Sequence, residues 1–230
     1  MSVTEWFFDS RLLASQAAAA RLSTVLLKDL RAKDEVTLIV SGGSSPKECF
    51  NRLSDIDLDW DRVHVAMSDE RFIPADHPDS NEGMIRRELL AGNAASASIV
   101  AMFQEGISVA DHCKHLEYDL RKLPRPYSAA LLGMGEDGHF ASLFPDFDRL
   151  EEGLDLKSKH MCMPVHTAAS PLPRITMTLS ALLQSREVLL LFFGDEKRKV
   201  YEQSKQIGSK YPLASLLQQN KTPVHTYWAP

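Results

Sequence analysis

The chain has 230 residues, of which 44% are hydrophobic and 25% are charged, and its formal net charge is −5. This length and composition are ordinary for a globular protein with a large core. The acidic balance gives no indication of nucleic acid or a membrane surface as a partner. An anionic ligand would therefore need a local positive site. We expect one domain over residues 1–230.

The features that report on cellular location favour the cytoplasm. Residues 1–10 lack the basic segment of a signal peptide, and Glu5 and Asp9 interrupt their apolar residues. The longest apolar runs, such as residues 188–193, are far shorter than a membrane span. The cysteines are odd in number and form no CxxC pair, which favours reduced thiols over a disulfide framework. We expect a soluble cytoplasmic protein that acts as a monomer.

Strands and helices alternate along most of the chain. A helix is predicted at residues 10–32, because Ser10 can cap it and apolar residues recur at helical spacing. Several predicted strands are apolar throughout, as in a parallel sheet covered on both faces. The expected fold is α/β and Rossmann-like, with a mostly parallel central sheet and helices on both faces. The predicted strands are residues 36–40, 63–67, 99–103, 129–132, 161–165, 174–178, 188–193 and 224–228, and the further helices are 47–53, 81–90, 109–123, 179–184, 195–206 and 213–219.

Polar or glycine-rich segments follow four of the predicted strands, which end at Val40, Met67, Leu132 and Phe193. The carboxyl ends of parallel strands lie at one edge of a sheet, so these segments can converge there. We therefore expect any chemistry to lie at this edge.

The segment at residues 41–46 combines Gly42 and Gly43 with hydroxyl side chains and the start of a helix. Its backbone N–H groups and the helix N-terminus would favour a phosphate, with Ser44 and Ser45 as further donors. It is neither a Walker loop nor a dinucleotide fingerprint, and an ordinary turn that caps a helix explains it equally well.

The segment at residues 133–145 carries Asp137 and His139 within a glycine-rich break after an apolar strand. A histidine titrates near neutral pH and can act as a general base. The alternative is a tight turn whose polar side chains are only solvated.

Several cations accompany these segments. Lys197 is predicted in the first turn of a helix, where a cation opposes the helix dipole. A ligand-facing role explains this position, and a solvated lysine beside Arg198 and Lys199 explains it equally well. Arg174 could clamp a phosphate or could pair with a carboxylate. Taken alone, the charged run Asp69-Glu70-Arg71 indicates a surface ion-pair network.

Two other kinds of site are not favoured by the sequence. His112, Cys113 and His115 lie on a predicted helix without a second ligand pair, so we expect exposed polar residues there. The sequence contains no GxSxG elbow, which argues against a serine-hydrolase triad.

Together these segments resemble the 6-phosphogluconolactonases of the glucosamine-6-phosphate isomerase/6-phosphogluconolactonase family. The resemblance covers about residues 36–200 and is most specific in the pattern GxGxDGHxASLFP at residues 133–145. It implies a fold like that of glucosamine-6-phosphate deaminase and ribose-5-phosphate isomerase. The other matching segments are residues 41–46, 68–74, 80–81, 173–176 and 194–197.

The resemblance implies hydrolysis of 6-phospho-D-glucono-1,5-lactone to 6-phospho-D-gluconate, the second step of the oxidative pentose phosphate pathway. His139 would activate water, Asp137 would orient the imidazole or fix the loop, and Asp69 would contact sugar hydroxyls or hold the loop in shape. No metal or cofactor is expected, and the only partner expected is the small-molecule lactone. The phosphate would bind at Gly43, Ser44, Ser45, Arg71, Arg174 and Lys197.

The resemblance leaves two alternatives. In the related deaminases the Asp-Gly-His core is followed by a segment ending Phe-Asn-Glu-Pro, whose Glu supports the histidine. Residues 142–145 have no carboxylate, which favours the lactonase. A non-catalytic sugar-phosphate sensor would carry a helix-turn-helix segment first, whereas one predicted helix precedes the first strand here.

Overall fold

The computed structural model describes residues 3–168 and 170–230. A parallel seven-stranded sheet has the order β1-β10-β9-β6-β2-β3-β5, and a three-stranded antiparallel sheet has the order β4-β8-β7. In chain order, strands β1 to β10 are Thr4–Phe7, Val36–Val40, Val63–Met67, Asp69–Arg71, Ser98–Val100, Ala129–Leu132, Cys162–Thr167, Ser170–Met177, Val188–Phe193 and Val224–Ala229.

The helices agree with the predicted pattern and are mostly shorter than predicted. The side chain of Ser10 caps the first helix by accepting a hydrogen bond from the backbone N–H of Leu13, as predicted. No helix within residues 3–168 and 170–230 is long and apolar enough to cross a membrane. Helices α1 to α8 are Arg11–Leu30, Lys47–Ser54, Asn81–Glu88, Val109–Lys122, Leu150–Leu154, Leu179–Leu182, Asp195–Ser204 and Pro212–Gln218, with short 3-10 helices at Trp60–Arg62 and Gly92–Ser96.

The central strands of the large sheet carry the hydrophobic core. Every residue of β2 and β6 is buried, as are the first five residues of β9. Burial of consecutive residues, whose side chains point to opposite faces, requires cover on both faces of the sheet. The structure thus confirms the predicted α/β class with a mostly parallel central sheet.

The strand order creates a switch point between β2 and β6. On one side the chain builds β2, β3 and β5 outwards, and on the other side it builds β6, β9 and β10. Ligands of open α/β sheets bind outside the carboxyl ends of the strands at such a point. The four polar segments predicted to converge follow β9, β6, β2 and β3, which are adjacent in the sheet.

The second sheet corrects the interpretation of Asp69-Glu70-Arg71 as a surface ion-pair network. These residues form strand β4, and Asp69 and Glu70 are only 6% and 1% exposed. The Glu70 carboxylate accepts hydrogen bonds from the backbone N–H groups of Arg71, Asn81 and Glu82 and from the Ser80 hydroxyl. Burial raises the pKa of Glu70, and these hydrogen bonds oppose the shift.

Three local predictions also differ from the structure. The edge strand β1 was not predicted, and residues 101–103 do not continue β5. His112 and Cys113 are buried rather than exposed, because that face of α4 packs against β7. The Sγ atoms of Cys113 and Cys162 lie 3.5 Å apart, and both thiols are free.

Candidate active site

A cavity of about 310 Å³ lies at the carboxyl ends of β2, β3, β6 and β9, and we call it the active cavity. All predicted site residues except Asp137 line it, and Asp137 contacts the lining residue His139. The phosphate-loop residues and the proposed base therefore belong to one cavity. The predicted residues on its wall are Gly43, Ser44, Ser45, Asp69, Arg71, His139, Arg174 and Lys197.

The side chains of Asp137 and His139 form a close pair. The distance from His139 Nδ1 to Asp137 Oδ1 is 2.5 Å, and the same oxygen accepts the backbone N–H of His139 at 3.2 Å. Burial alone would raise the pKa of Asp137, but hydrogen bonding to His139 and its charge outweigh burial and lower the pKa. An ionised carboxylate only accepts hydrogen bonds, so Nδ1 carries the hydrogen. In the neutral imidazole, Nε2 then holds the lone pair that a general base needs.

The backbone around this pair is shaped by glycine. A Cβ atom on Gly135 would lie 2.3 Å from Nδ1 of His139 and 2.5 Å from Oδ1 of Asp137. The backbone N–H of Gly135 donates to the carbonyl of His139 at 2.9 Å, which closes the turn. Gly135 thus makes room for the Asp137–His139 pair, a role that the glycine-rich pattern did not predict.

Two features fix the rest of the His139 loop. The His139 ring lies against Phe144, with ring centroids 4.3 Å apart. Ala141 has a positive φ of 49°, an uncommon conformation for a residue other than glycine, and it lines the active cavity. Such strained positions cluster at functional sites.

Asn81 connects two loops of the active cavity and was not predicted as a site residue. Its Oδ1 accepts a hydrogen bond from Arg71 Nη1 at 2.9 Å, and its Nδ2 donates to the carbonyl of Asp69 at 2.9 Å. A Cβ atom on Gly42 would lie 1.9 Å from Asn81 Oδ1, so only glycine fits beside this side chain. The matching Ser80-Asn81 segment was the available signal.

The Asp69 carboxylate is held by a buried network. Oδ1 accepts from the Ser68 hydroxyl at 2.9 Å, and Oδ2 accepts from the Ser142 hydroxyl at 2.6 Å. The Ser68 hydroxyl also lies 2.8 Å from the Ser41 hydroxyl. Arg174 Nη1 lies 3.7 Å from Oδ2. Both carboxylate oxygens are therefore occupied by protein groups.

The cations of the active cavity differ in how firmly they are held. Arg174 pairs with Asp69 and also lines the cavity, so its pairing with a carboxylate is confirmed and its contact with a phosphate stays a prediction. Burial lowers the pKa of Arg174, and Asp69 opposes the shift. Arg71 donates to the carbonyl of Asp79 at 2.8 Å. In the part of the chain that the structure describes, Lys197 makes no hydrogen bond or ion pair, so its ammonium group can reach a ligand.

The described residues contain no cluster of three or more His, Cys, Asp or Glu side chains that could hold a metal ion. The charged and polar groups of the active cavity instead suit an anion. Three cations and three serine hydroxyls line it, and Gly43, with a φ of 90°, gives the loop after β2 a backbone conformation that favours glycine.

The fold and the cavity define an α/β protein with a polar cavity at the switch point of a parallel sheet. The sequence model of the glucosamine-6-phosphate isomerases/6-phosphogluconolactonase family matches residues 9–228. The chain belongs to this family.

Named relatives match nearly the whole chain. A 6-phosphogluconolactonase from Mesorhizobium japonicum is 36% identical over 223 residues, which cover 97% of this chain and 94% of the relative. The 6-phosphogluconolactonase of Caulobacter vibrioides is 35% identical, and the match covers 96% and 95% of the two chains.

Solved structures give the same result for the fold. A crystal structure of a 6-phosphogluconolactonase from Shewanella baltica has a TM-score of 0.95 and 32% identity, and the match covers 100% of this chain and 98% of that chain. A monomeric glucosamine-6-phosphate deaminase of the NagB superfamily has a TM-score of 0.73 at 19% identity, with 97% of each chain covered. The second likeness is one of fold alone.

Proposed function

We propose that this protein hydrolyses 6-phospho-D-glucono-1,5-lactone to 6-phospho-D-gluconate in the oxidative pentose phosphate pathway. The observation that carries the proposal is the Asp137–His139 pair, 2.5 Å apart, in the same cavity as a glycine- and hydroxyl-rich loop with three cations. Relatives that are 32% to 36% identical over nearly the whole chain carry the name 6-phosphogluconolactonase.

The proposed base is Nε2 of His139. It takes a proton from water while the water oxygen bonds to the lactone carbonyl carbon, C1. The C1–ring oxygen bond then breaks, and the imidazolium returns its proton to the ring oxygen. Asp137, kept ionised by the same histidine, stabilises the imidazolium. The new carboxylic acid ionises at neutral pH, so the reaction releases acid.

The substrate phosphate would bind at the loop after β2, where Gly43, Ser44 and Ser45 line the active cavity. Arg71, Arg174 and Lys197 would neutralise its charge, and arginine can do so through two parallel hydrogen bonds. Backbone N–H groups of the same cavity would stabilise the oxyanion, each by about 3 kcal/mol. No metal or cofactor is needed, because a lactone carbonyl is already activated.

Asp69 would hold the site in shape. Its two oxygens accept from Ser68 and Ser142 and face Arg174, which supports positioning of three segments of the cavity wall. This assignment favours one of the two roles that the resemblance leaves open for Asp69.

The glucosamine-6-phosphate deaminase reaction is the competing function within the family. Its aldose–ketose isomerisation needs a further acid/base group beside the histidine, and residues 142–145, which match the deaminase segment that ends Phe-Asn-Glu-Pro, contain no carboxylate. Phe144, which precedes Pro145 as the glutamate precedes the proline in that segment, lies against the His139 ring with ring centroids 4.3 Å apart. These contacts favour lactone hydrolysis.

The proposal extends to residues 1–230 as one lactonase domain that acts as a cytoplasmic monomer. Support for one domain comes from β1 and β10, near opposite ends of the chain, which pair in the same sheet. Support for a monomer comes from the active cavity, because a single chain supplies the proposed base, phosphate loop and cations.

Two assays in parallel test the proposed function. Acid release is followed in a pH-stat after addition of freshly prepared 6-phosphogluconolactone, with a sample lacking enzyme as control. Ammonia release is measured with glucosamine 6-phosphate. We expect acid release well above the spontaneous rate and no ammonia; ammonia release with only spontaneous acid release would identify a deaminase instead.

A further inference from the structure

A second cleft of about 550 Å³ adjoins the active cavity, and we call it the side cleft. Helices α1 and α2 form much of its wall, and each contributes its first, second and fifth residues. The proposed hydrolysis uses none of these helical side chains. They are Arg11, Leu12 and Ser15 from α1 and Lys47, Glu48 and Asn51 from α2.

The side cleft carries positive charge, because Arg11, Lys47 and Lys197 line it. Arg11 donates through Nε to the carbonyl of Pro230 at 3.0 Å, whereas neither lysine has a hydrogen bond or ion pair within residues 3–168 and 170–230. Its two carboxylates are already engaged. Glu48 pairs with Arg52 at 2.8 Å, which leaves the lysines as the groups without partners.

The second carboxylate, Glu88, is engaged by Asn51. When the Asn51 amide is oriented to satisfy both groups, its nitrogen lies 3.0 Å from the Glu88 carbonyl and 3.2 Å from Oε2. On a chain with a net charge of −5, lysines without an ion-pair partner in a concave site favour binding of an anion.

Ser15 gives an independent indication of a ligand. This side chain is 1% exposed, it lines the side cleft, and its Oγ has no hydrogen-bond partner. A buried serine within a helix can bond the carbonyl four residues earlier, and the large majority of buried hydroxyls have a partner. A bound oxyanion would supply the missing acceptor.

The side cleft and the active cavity share a wall. Ser44, Ser45 and Lys197 line both. We propose that the side cleft is a second anion site that takes a phosphate monoester, with Arg11 and Lys47 as its own cations and Lys197 shared with the active cavity. An anion in the side cleft would draw Lys197 away from the substrate phosphate and weaken substrate binding. That consequence rests on the proposed lactonase function, whereas binding in the side cleft does not.

Inorganic phosphate is a suitable probe, followed through backbone amide chemical shifts in NMR spectra. Sodium chloride at equal ionic strength is the control ligand. We expect saturable shifts at Leu12, Ser15 and Lys47 in addition to those at the active cavity. Shifts confined to the loop after β2 and the His139 loop would overturn the proposal.

Variants make the test specific to the side cleft. Lys47→Gln should raise the Kd for phosphate, measured from the chemical-shift changes at Ser15, by about tenfold, since it removes one charge-assisted contact. Lys28→Gln removes an exposed lysine from the last turn of α1 and should leave this Kd unchanged. Equal affinities in the two variants would overturn the proposal. Arg11→Gln serves as a second variant if the Lys47→Gln spectrum shows loss of the fold.

The same variants separate this proposal from the lactonase assignment. Without added phosphate, Lys47→Gln should hydrolyse the lactone at the wild-type rate, because Lys47 does not line the active cavity. Absence of lactonase activity in the wild-type protein would contradict the proposed function and leave the binding result intact.

Discussion

Asp137 and Asp69 belong to the same candidate site but differ in their surroundings. The Asp137 side chain is 43% exposed, and its neighbour His139 is its only side-chain partner among the described residues. The Asp69 side chain is 9% exposed and is surrounded by Ser68, Ser142 and Arg174. A carboxylate whose one side-chain partner is titratable can shift the pKa of that partner. A buried carboxylate with a hydrogen bond to each oxygen instead fixes the positions of the groups around it.

The difference has a topological origin. Asp137 lies in the turn after β6, and the hydrogen bonds given for its carboxylate come from His139 within that turn. Asp69 begins strand β4, which pairs with β8 and so brings Thr176 and Arg174 into register with β4. The turn after β6 can therefore present a reactive side chain to solvent, whereas Asp69 is fixed where the chain passes from β3 in the large sheet to β4 in the small sheet.

The largest effect is expected from His139→Ala. Loss of the general base should lower kcat for lactone hydrolysis by about 10²- to 10⁴-fold, with little change in Tm because the side chain is partly exposed. His115→Ala removes an exposed histidine from α4 and should leave kcat unchanged. Equal kcat values in the two variants would remove His139 from the mechanism.

Lys197→Ala should raise KM by about 10-fold or more, because a charge-assisted hydrogen bond to phosphate contributes about 1.5–3 kcal/mol. Lys199→Ala is the matched control, since Lys199 lies on the same helix and pairs with Glu196. Steady-state kinetics provide both values. A KM that stays at the wild-type value would exclude Lys197 from the phosphate site.

Asp137→Asn should lower kcat by about tenfold and leave KM nearly unchanged. The amide can still accept from His139, but it no longer offsets the positive charge of the imidazolium, and the exposure of the pair limits the loss. Asp148→Asn, an exposed change near the same loop, should have no effect. A main effect on KM would assign Asp137 to substrate binding.

Ser142→Ala should act on stability more than on catalysis. It removes a buried hydroxyl that donates to Asp69 at 2.6 Å and should lower the free energy of unfolding by about 1–3 kcal/mol. Urea unfolding measures this change, with the exposed Ser96→Ala as control. A stable variant with a tenfold loss of kcat would mean that the Asp69 network takes part in the chemistry.

Sequence reasoning located the active cavity because its determinants are local. Glycine, hydroxyl and charged residues directly follow buried strands, and parallel topology brings the ends of β2, β6 and β9 to one edge. The pairing of Asp137 with His139 follows from their separation by two residues within one turn.

The unpredicted features depend on tertiary contacts. Glu70 resembles a surface charge locally, yet it is buried because the first backbone N–H groups of α3, eleven and twelve residues later, pair with its carboxylate. The requirement for glycine at position 135 arises from side chains that fold back over it. Asn81 becomes a site residue only when α3 meets the loop after β2.

A double-mutant cycle on Asp137 and His139 tests the central claim most directly, namely that Asp137 acts through His139. Turnover of the lactone is measured, above the spontaneous rate, for His139→Ala with and without Asp137→Asn. If the pair works as a unit, Asp137→Asn causes no further loss of kcat once the histidine is absent. The kcat values of His139→Ala and of the double variant then agree within about twofold. A further loss of about tenfold in the double variant would show that Asp137 acts independently and would contradict the account.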